Sequence, residues 1–193
     1  MGDEKISSGR PCYARLVRQV RYTKSTLDEH AARGERAEFV AGERFPLPEE
    51  SRAHRLVAQN LFLAVAQHLG AGPLRPHLGL HPLRIDAADA LYYPDLVVLD
   101  ESGAALLVGE VMAPETAAID AREKWLVYQL VETIREVVLV GLAPREVDVR
   151  RRGRDGTWSG EVYAMGETAW LDAIELRLPV AALFAGIDGL TFA

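Results

Sequence analysis

The chain has 193 residues, 49% hydrophobic and 26% charged, which is ordinary composition for one domain with a real core. No apolar run approaches the roughly 20 residues that cross a bilayer, the opening MGDEKISSGRPCYARLVRQV lacks a signal-peptide core and a myristoylation serine or threonine, and the lone Cys12 excludes an internal disulfide and cysteine-based zinc. A net charge of −6 argues against tight, indiscriminate nucleic-acid binding, although a local basic groove remains possible, and the expected address is the cytoplasm.

Residues 1–24 are mixed and basic and read as an N-terminal extension, with YARLVRQVRY a short strand or helix. Residues 25–193 read as a single domain. In STLDEHAARGERAEF, Ser25 or Thr26 is the expected cap of a short helix, with Asp28 and Glu29 in its first turn. AEFVAGERFPLP predicts a hairpin turning at Gly42 and stopped by Pro46 and Pro48. EESRAHRLVAQNLFLAVAQHLGAG is the clearest helix: Leu56, Val57, Asn60, Leu61, Ala64, Val65 and Leu69 keep helical spacing, and Gly70 or Gly72 closes it. Asn60 lies within that apolar stripe and is expected to hold a backbone group in the core. LRPHLGLHPLRI reads as extended, its prolines marking an edge strand. Two apolar strands follow in YYPDLVVLDESGAALLVGEVM, then a helix in TAAIDAREKWLVYQLVETI with Leu126, Leu130 and Ile134 on one stripe. EVVLVGL, EVDVRRRG and TWSGEVYAM predict three more strands, and LPVAALFAGI a closing helix. Strands flanked by long helices indicate an α/β or mixed α+β domain.

Two carboxylates stand where strands usually exclude them: Asp95 at the mouth of one apolar run, Glu110 inside the next. With DESG at 100–103 as a four-residue loop, Leu99 pairs with Ala104, Val97 with Leu106 and Asp95 with Val108. Asp95 and Glu110 then share a face as diagonal neighbours, roughly 7–8 Å apart at Cα. A one-residue slip would separate them onto opposite faces. Like charges so close repel, and a divalent cation resolves the conflict. Carboxylate and carbonyl oxygens suit Mg²⁺ or Mn²⁺. Gly109 beside Glu110 would let backbone or ligand approach closely. On the following helix Asp120, Lys124 and Tyr128 form one i, i+4, i+8 row. This is either a helix ion pair or a cation extended toward the carboxylates.

Pro94–Asp95, Glu110–Val111–Met112 and the later Lys124 resemble the PD-(D/E)XK nuclease superfamily. More closely, YYPDLVVLD, LLVGEVMAPETAAIDAREKWLVYQL, VDVRRRGRDGTW and LPVAALF resemble the Uma family of restriction-endonuclease-like proteins, with AEFVAGE and AHRLVAQNL in register from about Thr26 to Ile187. The resemblance implies a restriction-endonuclease-like central mixed sheet flanked by helices, frequent homodimers, and Mg²⁺-dependent hydrolysis of DNA. It also implies roles: Asp95, Glu110 and the Val111 carbonyl hold the metal, Lys124 orients or activates the attacking water, Glu38 is an outer or second ligand, and Tyr128 hydrogen-bonds near the scissile phosphate. The chain departs from the superfamily at Met112, where the lysine normally stands, and from the family at APET, which replaces Ser-Pro-Ser-Thr. Those departures and the acidic charge motivate the alternative of a catalytically inactive nuclease-fold binding or regulatory module. A hydrolase of smaller phosphate esters is a third reading. Outside this constellation, Arg150, Arg151, Arg152 and Arg154 in RRRGRDG are either a phosphate-contacting turn or a solvated hairpin tip. Trp125, Trp158 and Trp170 read mainly as packing residues, and His77 with His81 as a weak histidine pair on an irregular edge.

Overall fold

β7 (Ala105–Met112) and β8 (Glu136–Leu142) are apolar on both faces, as strands covered from two sides must be, and they pair in parallel from Leu107 opposite Glu136 to Met112 opposite Gly141. Parallel neighbours need a crossover, which α3 (Ala117–Tyr128) supplies. The computed structural model describes residues 24–33, 37–47, 49–79, 81–112 and 117–190. The expected strand or helix at YARLVRQVRY, the Cys12 thiol, the APET segment and the Asp120 side chain lie outside what is described.

The central sheet has six strands. β6 (Leu96–Leu99) and the proline-bearing edge strand β3 (Arg75–Leu78) lie on one side of the parallel pair, and β9 (Arg145–Arg152) and β10 (Trp158–Ala164) on the other. Every pairing except β7–β8 is antiparallel, so the sheet is mixed. On one face Leu96, Val98, Leu107, Val138 and Val140 pack with Val57, Leu61 and Val65 of α2 (Arg52–Leu69). The hairpin of β11 (Thr168–Leu171) and β12 (Leu176–Pro179) and the closing helix α4 (Val180–Leu183) complete that cluster. On the other face Val97, Val108, Val137 and Leu139 pack with Tyr128 and Ile134. A second sheet, ordered β2 (Glu43–Pro46), β1 (Ala37–Val40), β5 (Ala90–Tyr92), β4 (Leu83–Ile85), carries α1 (Lys24–Arg33) through Leu27 against Phe39 and Leu91.

α2 begins where Ser51 accepts a hydrogen bond from the His54 N–H at 3.1 Å, and it ends at Gly70, whose positive φ of 53° few other residues tolerate. Asn60 donates from Nδ2 to the carbonyls of Leu183 (2.9 Å) and Ala185 (3.1 Å), so the one amide in the apolar stripe ties the last helix to the core. A Cβ on Gly109 would lie 3.0 Å from Leu61 Cδ2 and 3.1 Å from Leu96 Cβ. The close approach allowed there is that of α2, not of a ligand. Gly109→Val is expected to cost about 1–3 kcal/mol through overpacking, read from the urea midpoint.

The structure corrects three expectations. α1 begins at Lys24, so Ser25 and Thr26 fall inside its first turn. α3 stops at Tyr128, and Leu126 and Leu130 are 57% and 51% exposed, so the buried face of this helix carries Tyr128 rather than those leucines. The hairpin register also differs: Leu99 faces Ala105, Val97 faces Val108, and Leu96 faces Gly109. The loop closes one residue tighter, with the Asp100 N–H donating to the Ala104 carbonyl at 2.9 Å and Gly103 at φ 82°. A bulge between Val98 and Leu99 then adds a second one-residue shift. Either shift alone would have moved Glu110 to the far face; together they restore the parity.

Candidate active site

The site lies at the end of the sheet where β6 begins and β7 ends. The ladder's last pairing is Leu96 with Gly109, so one further step outward sets Asp95 beside Glu110, directly opposite rather than diagonal. Pro94 keeps the preceding backbone extended. Asp95 is buried, and its Oδ2 accepts the Val111 N–H at 2.7 Å. That bond turns the carboxylate inward over the strand end.

Glu110 is 7% exposed. Its Oε1 accepts the Tyr128 hydroxyl proton at 2.5 Å and stands 3.7 Å from Lys124 Nζ. The i, i+4 spacing on α3 therefore delivers both partners to one carboxylate. Lys124 Nζ also contacts Glu38 Oε1 at 2.7 Å and lies over the Tyr92 ring, 5.4 Å from its centroid. Tyr92 in turn meets Tyr128 edge-on at 5.8 Å. β1 supplies Glu38, β5 supplies Tyr92, β7 supplies Glu110, and α3 supplies Lys124 and Tyr128.

Burial drives the Glu110 pKa from 4.5 up to about 7; the Lys124 ammonium pulls against that rise and the Asp95 carboxylate adds to it. Burial opposes the Lys124 charge, but Glu110 and Glu38 outweigh it and hold the lysine above its ordinary value. The Tyr128 hydroxyl is raised well above 10 by burial and by Glu110, so it remains a proton donor. The folded chain thus keeps the Glu110 proton to higher pH than the unfolded chain. Folding takes up a proton between about 4.5 and about 7, and stability falls as pH rises through that window. Urea midpoints of the chain in EDTA are expected to fall from pH 5 to pH 7.5, and Glu110→Gln should flatten that decline.

Two residues with no predicted role join the site, His54 from the first turn of α2 and Glu50 from just before it. His54 Nε2 lies 2.9 Å from the Val111 carbonyl oxygen and 3.4 Å from Asp95 Oδ2. Its buried Nδ1 has no hydrogen-bond partner, with Glu50 Oε2 3.8 Å away. Burial alone would lower the His54 pKa, yet Asp95 and, more weakly, Glu50 raise it. Glu50, His54 and Asp95 present ligand atoms within 4.8 Å of one another. A sequence signal was present: His54 falls three residues before Val57 and seven before Leu61, at the margin of the buried stripe, where a polar side chain needs a partner.

Asp95, Glu110, Lys124, Tyr128, Glu38 and the Val111 carbonyl therefore converge. Tyr128 differs from its expected role: it is fully buried and its hydroxyl meets Glu110, so it orients the carboxylate from beneath. Met112 is partly buried against the cluster around Val108 and Tyr128 and offers no cation. The arginine-rich strand does not enter the site. Arg150 pairs with Asp148 at 2.9 Å and covers Trp125, and Arg152 covers Trp158, which meets Trp125 edge-on at 4.7 Å. The His77 and His81 rings are 4.8 Å apart but gather no third ligand among the described residues.

Residues 25–181 match the family model Uma2, described as "Putative restriction endonuclease". Two proteins of Synechocystis sp., named as uncharacterized proteins slr1290 and sll1609, are each 24% identical to this chain. The first match spans 164 residues, 79% of this chain and 85% of the relative; the second spans 149, or 72% and 84%. A crystal structure from Anabaena variabilis, of "a putative nuclease belonging to DUF820", superimposes with a TM-score of 0.67 at 16% identity. It covers 82% of this chain and 96% of that one, and at such identity the likeness is one of fold.

Proposed function

The chain belongs to the Uma2 family of restriction-endonuclease-like proteins, and from that membership and the site at the head of β6 and β7 we propose that it is a metal-dependent endonuclease hydrolysing DNA phosphodiester bonds. The observation that carries this reading is the meeting of Glu110 and Glu38 on one ammonium, that of Lys124, with the Asp95 carboxylate close enough to Glu110 to raise its pKa. Once Glu110 gives up its proton, three carboxylates face one lysine and the His54 ring in a half-desolvated pocket, and a hard divalent cation such as Mg²⁺ or Mn²⁺ fits that crowding of oxygens. Asp95, Glu110 and the Val111 carbonyl would hold it, with Glu38 as an outer ligand. Bound there, the ion supplies Lewis acidity at the phosphoryl oxygens and acidifies a coordinated water.

The protein's own groups do the positioning. The Val111 N–H fixes Asp95, and the Tyr128 hydroxyl fixes Glu110. His54 directs Nε2 at the Val111 carbonyl and at Asp95, steadying two donor atoms at once. Lys124, held between Glu38 and Glu110, is placed to orient a water and offset charge developing on the phosphate. A homodimer would set two such sites against the two strands of a duplex. No helix among the described residues is long and apolar enough to cross a membrane, and we assign the protein to the cytoplasm, where its substrate lies. The family match spans residues 25–181, and we read 25–193 as one domain behind an extension at 1–24.

The test is incubation of supercoiled plasmid and single-stranded DNA with Mg²⁺, Mn²⁺ or EDTA, using the native chain and Asp95→Asn. Nicking that needs metal and falls at least about 100-fold in the variant supports the proposal. Equal inertness of both proteins would replace it with the inactive binding or regulatory module, for which Met112 in place of a lysine is the specific argument.

A further inference from the structure

At the opposite end of the central sheet, Arg135, Arg151, Arg152 and Arg154 line a cavity of about 330 Å³ together with Glu136 and Asp172. Its charge is unevenly spent. Arg151 is neutralised by Glu136 and Glu161, each at 3.0 Å, and Glu136 also accepts the N–H groups of Asp172 and Ala173 at 2.9 Å. Arg152 donates from Nη2 only to carbonyl oxygens, of Gln129 at 2.5 Å and Val131 at 3.2 Å, while its buried Nε has no partner. Arg135 and Arg154 are exposed, and no ion pair among the described residues involves Arg135, Arg152 or Arg154. The Asp172 carboxylate, which accepts the Trp170 Nε1–H at 3.3 Å, also lines the cavity, but three guanidiniums that no carboxylate pairs outnumber it, a local reversal of sign in a chain with a net charge of −6.

We propose that this cavity is an oxyanion site for a phosphate group, carried in the working protein by the nucleic-acid backbone at a position remote from the cleaved bond. Guanidiniums present planar paired donors that match phosphate oxygens, and the exposed Arg135 and Arg154 bring such donors to the cavity with no carboxylate paired to them among the described residues. Asp148 is level with Leu139 and Glu110, and Arg152 stands four residues further along the same strand, so its side chain leaves the sheet on the face that carries Glu110. Strand geometry makes the separation roughly 16 Å, about five base pairs along a duplex. The contact would fix register without reading sequence. The nucleic-acid part of this inference rests on the nuclease reading; the oxyanion site does not.

The experiment uses the full chain and the double variant Arg135→Ala/Arg154→Ala, both positions being exposed and outside the carboxylate site. Binding of a fluorescent 20-base-pair duplex is followed in EDTA across a salt series, and inorganic phosphate is titrated in thermal-shift measurements. The variant is expected to bind duplex at least about tenfold more weakly, with a salt slope smaller by about one to two. Unchanged duplex binding, with phosphate stabilising the native chain and not the variant, would keep the oxyanion site and give it to a free phosphate ligand. Identical behaviour of the two proteins in both arms overturns the inference. A native chain that binds through these arginines yet never cuts DNA would sink the nuclease reading alone.

Discussion

Glu110→Gln is expected to abolish metal-dependent nicking, a loss on the order of 10³-fold or more, while making the metal-free protein more resistant to urea at pH 7.5. The two effects have one cause. Glu110 is buried beside Asp95 and Glu38, and its folded-state pKa near 7 means that ionising it opposes folding. A neutral amide removes that opposition and can still accept the Tyr128 hydroxyl proton, so the packing around Tyr128 survives. Mn²⁺ titration followed by calorimetry should show weakened binding in the same variant. Loss of nicking together with loss of urea resistance would mean instead that Glu110 is a structural acid, valued for its bonds to Tyr128 and Lys124.

Lys124→Met should separate the cation from the ligands. The ammonium bridges Glu38 at 2.7 Å and Glu110 at 3.7 Å, so its removal leaves two facing carboxylates uncompensated. Breaking such a buried arrangement costs about 3–5 kcal/mol, which should appear as a lower urea midpoint in EDTA at pH 7.5. Adding Mn²⁺ should recover part of that loss, because the metal supplies the missing positive charge, and metal affinity should hold or rise. Nicking should still fall roughly 100- to 1000-fold, because the charge near the phosphate is gone. Lys124→Arg keeps the charge and should recover stability more fully than rate. If Lys124→Met cuts DNA as fast as the native chain, the lysine serves only as a structural counter-ion to Glu38.

Much of the site was visible in one dimension. The two acids stood out because apolar strands seldom carry them, and a lysine and a tyrosine four residues apart on a helix share a face whatever the helix packs on. The elements carrying them were legible for the same reason: α2 has eighteen residues of helical periodicity and a serine cap, and β7 and β8 are long apolar runs. β5 and β11 escape the sequence reading, and Leu178 and Pro179 of β12 fall in its expected closing helix, because three or four residues show too little alternation to be seen.

What was missed or misread is non-local. The helical stripe of Leu126 and Leu130 was locally as plausible as the row of Lys124 and Tyr128. Only packing against the β7–β8 face, where Glu110 projects, decided which row was buried. His54 and Glu50 lie more than forty residues from Asp95 in sequence, and nothing but the docking of α2 on the sheet brings them to it. RRRGRDG showed positive charge, but which arginines would find carboxylates depended on where Glu136, Asp148 and Glu161 fell across the strands. The carboxylate hairpin shows the division most clearly. Side-chain alternation is a property of each strand alone, so the sequence determined that Asp95 and Glu110 would share a face in any register of even parity. The register itself came from a loop one residue tighter than the four predicted and a bulge that added a second one-residue shift. Both are settled by ladder hydrogen bonds and core packing across strands, which a linear sequence does not display.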